Sequence, residues 1–221
     1  MQKAIILSGA GRYADPWHPY PETSALLEGL ARDSGWDVRI CENIDERLAD
    51  GLDGIDLLIV NAGDPRGRLA EDHGFIEKGR EGLMEGFDRG ISLLGIHSAA
   101  SSLGDYPQYR KALGGAWVPD HSWHPPIGEV HVRPLDDQIV EGLGDFTVFD
   151  ERYTDLVTDT SIEPLVDTWD DEGEHILAWS HQYGKCRVVY DGLGHDARSY
   201  SSVGHDAFLR RILCWLMPIN S

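Results

Sequence analysis

Five of the ten histidines, His18, His97, His121, His124 and His195, stand beside glycine, proline or other small residues. Those neighbours make turns, and a histidine in a turn is free to face a ligand. An imidazole titrates near neutrality, so it can take or give a proton, and its neutral ring is a common metal ligand. Glu151, in Phe149-Asp-Glu-Arg-Tyr153, adds a carboxylate beside aromatic rings. Two or three imidazoles with one carboxylate suit a single divalent cation such as Zn, Mn, Fe or Co. The same groups serve as general acid and base without a metal. No pair has the H-E-x-x-H spacing, so spacing alone does not choose between the two chemistries.

His97 is the centre of this set. The apolar run Ile91-Ser-Leu-Leu-Gly-Ile96 reads as a buried strand, and His97-Ser-Ala-Ala-Ser-Ser102 follows it with small residues only. Gly95-Ile-His97-Ser-Ala99 has the outline of a nucleophile elbow with imidazole where serine or cysteine would stand. Ser98 or Ser101 is placed to cap a helix after the turn. Ser98 directly follows His97, and adjacent side chains diverge, so the two are not expected to pair. Trp17 and Trp123 lie among prolines and histidines and offer flat faces beside hydrogen-bonding groups, a combination that suits a sugar. Trp117 and Trp179 read as core.

The elements that must carry these turns alternate in type. Strands are expected at residues 3–7, 37–41, 55–60 and 91–96, with helices at 21–34 and 75–89 between them. This pattern predicts an α/β fold with a doubly wound, mostly parallel sheet, whose loops converge at the carboxyl edge of the strands. The strand at 37–41 alternates and is placed near an edge. The helix at 75–89 carries three internal glycines, each weakening it by up to about 1 kcal/mol. A helix at 106–113 follows, then shorter strands at 128–134, 146–149 and 162–166. Residues 176–179 and 187–190 form strands joined across the turn 182–185, and a helix spans 203–216. Asp64 lies in the loop after the third strand. Gly9-Ala-Gly11 lacks the third glycine of a dinucleotide loop, so no nucleotide cofactor is expected.

The chain has 221 residues, enough for one sizeable core, and reads as a single domain over 1–221. With 38 acidic against 19 basic residues its formal charge is −19, which opposes nucleic acid and anionic membranes as partners. No apolar run is long enough to span a membrane or to form a signal-peptide core. Cys41, Cys186 and Cys214 lie far apart in apolar segments and read as reduced core residues of a cytoplasmic protein. A homo-oligomer is compatible with the sequence, which carries no signature for one.

Several segments together resemble the ThuA-like family, named for trehalose utilisation. They are Gly95-Ile-His97-Ser-Ala99, Gly114-Gly-Ala-Trp117 followed by His124-Pro125, and Asp150-Glu-Arg-Tyr153. Trp179-Ser-His-Gln-Tyr183-Gly-Lys-Cys-Arg187 and Leu193-Gly-His-Asp196 complete the series, in the family's order and over essentially the whole chain. The resemblance implies a flavodoxin-like sheet of the class I glutamine amidotransferase type without the elbow cysteine, so amidotransferase activity is not expected. It also implies disaccharide catabolism, including keto sugars, and a divalent metal in some members. By position it assigns catalysis to His97, Glu151 and His195 and metal binding to His18, His97 and His195. Trp17, His18, Asp64, His124 and Tyr153 are then the candidates for contact with a small sugar substrate. The sequence departs from the family at Cys186, where glycine is usual, and between Gly115 and His124, which leaves the choice between His121 and His124 open. The expectation is an enzyme acting on a keto-disaccharide or related glycoside, by isomerisation, elimination or hydrolysis. The alternative is a non-catalytic sugar-binding or regulatory module on the same fold.

Overall fold

β1 (Lys3–Ser8), β2 (Asp37–Cys41), β3 (Leu57–Asn61) and β4 (Ser92–Ile96) form one end of a nine-stranded sheet in the computed structural model, which describes residues 1–65, 74–171 and 173–218. The inner strands β1, β3 and β4 are apolar at nearly every position because both faces of the sheet are covered. Ala4 and Ile6 pack on one side with α1 (Tyr20–Asp33) and α6 (Val203–Trp215). Ile5 and Leu7 pack on the other with α2 (Ile44–Ala49), α3 (Ile76–Arg89) and α4 (Pro107–Leu113). β2 alternates, as expected of the edge strand it is.

The remaining strands are β5 (Gly115–Ala116), β6 (Gly128–Pro134), β7 (Phe146–Asp150), β8 (Val157–Thr158), β9 (Glu163–Asp170), β10 (Gly173–Tyr183) and β11 (Cys186–Asp191). The sheet order is β2-β1-β3-β4-β11-β10-β9-β6-β7. Pairing is parallel from β2 through β11 and antiparallel from β11 to β7, while β5 and β8 pair separately. The doubly wound parallel region matches the sequence reading, and an antiparallel arm extends it. At the end of that arm β7 packs on α6 and on the short helix α5 (Ala197–Tyr200).

Several boundaries differ from expectation. β10 and β11 run together to a two-residue turn at Gly184-Lys185, so residues 182 and 183 belong to strand rather than turn. Helices α2 and α5 were not expected; each is under two turns long, too short for periodicity to register. Arg187 donates to the Trp215 and Met217 carbonyls at the end of α6. The cysteines are free, but only Cys186 is buried; Cys41 is half-buried and Cys214 exposed, which corrects the core reading for those two. Cys214 lies in an amphipathic helix, where an apolar neighbourhood in sequence does not fix the face.

Gly82 of α3 faces α2 at close range. A side chain at Gly82 would overlap the Leu48 carbonyl oxygen and the Gly51 backbone. Alanine ordinarily stabilises a helix by about 1 kcal/mol over glycine. At this contact the sign reverses, and Gly82→Ala is expected to cost about 1–3 kcal/mol in a denaturant melt. A more stable variant would show that the two helices are not held at this distance.

Candidate metal centre

At the end of β4 the chain turns sharply, and His97 takes a left-handed backbone conformation with φ of 46°. A non-glycine residue in that region stores strain that the surroundings must offset. They do so at two atoms: the Tyr190 hydroxyl donates to the His97 carbonyl at 2.8 Å, and Nδ1 of His97 donates to the Gly192 carbonyl at 2.8 Å. Because a carbonyl only accepts, the second bond fixes the proton on Nδ1 and leaves a lone pair on Nε2. The turn continues as a 3₁₀ segment, His97–Ser101, rather than an α-helix, and neither Ser98 nor Ser101 caps it. Ser98 Oγ instead reaches the Ala62 carbonyl and the Tyr20 hydroxyl.

Three other groups meet Nε2 of His97. Glu151, just beyond β7, brings Oε2 to 3.5 Å, and Nδ1 of His195, from the loop after β11, lies 3.3 Å away. The same Glu151 oxygen is 3.3 Å from His195 Nδ1. The His18 ring stands 5.1 Å from that of His97 and 4.7 Å from that of His195, centre to centre. Donor atoms of His18, His97, Glu151 and His195 all lie within 4.8 Å of one another. Asp150 binds the arrangement together: its carboxylate accepts the backbone N–H groups of Glu151, Gly194 and His195.

The electrostatics follow from this crowding. Burial raises the Glu151 carboxyl, yet the adjoining His195 and His97 rings outweigh it and hold the group well below the usual carboxylate range. Burial lowers His195, and Glu151 more than offsets that, so the ring is shifted upward. His18 moves down, through burial first and then through His97 and His195, despite the opposing Asp15. Burial raises Tyr153 well above an ordinary phenol.

A cation fits this set on the structure's own terms. Nε2 of His18 is buried and has no hydrogen-bond partner among the described residues, a costly state for a lone pair unless something positive meets it. Three imidazole nitrogens and one carboxylate oxygen are a donor set for Zn, Mn, Fe or Co.

A cavity of about 420 Å³ opens on His18 and Glu151 and is lined also by Trp17, Asp64, Trp117, His124 and Tyr153. The substrate-contact residues expected from sequence are therefore together. Tyr153 lies 4.0 Å from the His97 ring, centre to centre, and His124 Nδ1 lies 3.1 Å from Glu151 Oε1. His124 thus enters the site, whereas His121 is exposed outside the cavity, which corrects its inclusion in the convergent five. Trp123 does not line the cavity either; its indole N–H donates to Asp155 and its backbone pairs with Thr154. Trp117, read as core, lines the cavity together with Trp17 and lies 4.6 Å from Tyr153, centre to centre. Sequence reasoning missed Asp15 and Asp150. A carboxylate three residues before His18 across a proline was the available signal for the first, and adjacency to Glu151 for the second.

Ser199, His205 and Asp191 also form a hydrogen-bonded series, with His205 2.9 Å from each partner. All three are fully enclosed, so no substrate reaches them and the series is structural.

The family model for ThuA, trehalose utilisation, matches residues 3–216. No curated protein sequence matches the chain. Among solved structures, a ThuA-like protein from Parabacteroides merdae is similar at 16% identity and a TM-score of 0.75, covering 97% of this chain and 89% of that one. A ThuA-like protein from Bacteroides uniformis gives 16%, 0.74, 97% and 91% in the same terms. A glutamine amidotransferase from Thermotoga maritima is similar at 16% identity and 0.52, covering 87% of this chain and 75% of that one. At such identities the structural likeness speaks for the fold: mixed α/β of the glutamine amidotransferase-like kind, with His97 at the elbow and the three cysteines elsewhere. The match along nearly the whole sequence makes this chain a member of the ThuA family.

Proposed function

We propose that this protein is an enzyme of sugar catabolism that acts on a keto-disaccharide or a related glycoside. The family match supports a role in sugar metabolism. The observation that carries the finer reading is the meeting of His18, His97, Glu151 and His195 under a cavity with aromatic walls. His18, His97 and His195 are the residues to hold a divalent cation, whose chemistry would be to polarise a carbonyl and so acidify the neighbouring C–H. Glu151, beside His97 and His195, is the proton acceptor. His124 touches its other oxygen and is half exposed, so it can pass that proton to water. Tyr153, Trp117 and Trp17 give the sugar ring apolar faces, and Asp64 a polar contact.

Metal analysis of the purified protein, with turnover of a keto-disaccharide before and after chelation, tests this. One cation per chain, with turnover lost on chelation and restored by re-addition, is the expected result. No cation and undiminished turnover would remove the metal from the reading. Sugar binding without any product would leave a binding module and remove the enzyme.

A further inference from the structure

We propose that Asp15 is the positioning residue that makes His18 a metal ligand. It fixes the proton on Nδ1, turns Nε2 toward Glu151 and the two other histidines, and thereby sets the affinity of the centre for its cation. This rests on the metal reading above and adds to it a residue outside the donor set.

The geometry is specific. Both Asp15 carboxylate oxygens lie 2.8 Å from His18 Nδ1, and the group accepts the backbone N–H of Trp17 and of His18, each at 2.9 Å. An ionised carboxylate has no proton to give, so the ring nitrogen facing it is the donor. The nitrogen left over is the orphaned Nε2. A carboxylate–imidazole–cation series of this kind orients the ring and makes its free nitrogen a stronger donor.

Asp15 is itself held from behind. The Tyr20 hydroxyl lies 2.7 Å from Asp15 Oδ2 and 3.0 Å from Ser98 Oγ. A side chain at Gly63 would overlap both that hydroxyl and the Asp15 carboxylate, so the loop after β3 must carry glycine for the pair to be seated. The path Ser98–Tyr20–Asp15–His18 therefore joins the turn that bears His97 to the loop that bears His18. Two ligand-bearing segments, the loops after β1 and β4, share one hydrogen-bonded support. His97 reaches the same end by another route, with the Gly192 carbonyl in place of a carboxylate. Of the two, only His18 has a negative charge behind it, so its contribution is the one a single substitution can tune.

The test is a competition titration of Zn²⁺ and of Mn²⁺ against a chromophoric chelator, with ¹⁵N-histidine NMR of the metal-free protein. In the wild type, the His18 spectrum should show a protonated Nδ1 and a bare Nε2. Asp15→Asn should weaken the cation about 10- to 100-fold and shift His18 toward the other tautomer. Asp15→Glu should recover part of the affinity. Tyr20→Phe, which leaves Asp15 in place, should weaken the cation by a smaller factor, and it carries the test if the Asp15 variants do not fold. A wild-type His18 protonated on Nε2 overturns the proposal. So do Asp15→Asn and Tyr20→Phe proteins that bind the cation as tightly as wild type. A wild type that takes up neither cation overturns the metal reading and, with it, this role.

Discussion

Replacing His97 with asparagine lowers turnover by about a hundred- to ten-thousand-fold, the range lost when a positioned acid–base group or its equivalent is removed. Asparagine is chosen because it accepts the left-handed backbone that position 97 requires, so the change removes the imidazole and spares the turn. What goes is the Nε2 lone pair that faces Glu151 and His195. Steady-state kinetics on a keto-disaccharide, together with a thermal melt, gives the measurement. Turnover within a few-fold of wild type, in a protein that melts normally, would show that the elbow histidine does no chemistry.

His205→Leu is expected to destabilise the fold by about 3–5 kcal/mol, because it strands the Asp191 carboxylate in the interior without its cation. Both side chains are 0% exposed, and their contact is 2.9 Å. For a chain of this size that loss lowers the melting temperature by about 6–20 °C. The pH dependence has a definite sign. Burial lowers His205, but the charge of Asp191 overcomes it, so the folded-state pKa is raised above the ordinary value of 6.5. The protonated ring therefore contributes its full stability below about pH 6.5. That contribution is lost as pH rises through the raised value. The gap between wild type and variant should narrow as the solution is made alkaline. A gap that widens with pH, or a loss under about 1 kcal/mol, would mean that the pair is not held as ions.

The parallel region was readable because a strand covered on both faces needs apolar residues at every position. β1, β3 and β4 show that directly. The antiparallel arm was less so. The ends of β10 carry Glu174, His175 and Gln182, polar residues that local pattern assigns to a turn and only pairing with neighbours makes into strand. In the site, the histidines of the carboxyl-edge loops stood out by their glycine and proline neighbours. Which of His121 and His124 enters depends on how the loop packs against Trp117 and Tyr153, a tertiary fact. Asp15 and Asp150 are two among 38 acidic residues, marked only by their nearness in sequence to His18 and Glu151. Their roles come from which backbone N–H groups and rings the fold brings to them.

The position of Glu151 has a consequence for how the protein is made. Four strands intervene between β4, which presents His97, and β7, which delivers the carboxylate. A nascent chain that has folded only as far as α4 already owns His18 and His97, but it lacks Glu151 and His195. Each antiparallel joint has to come into register before the last group arrives, and such long-range closures are the slow steps of folding. The four side chains thus come together only in a finished molecule. Capture of a cation would act as a proof-reading signal that the whole chain has been correctly assembled.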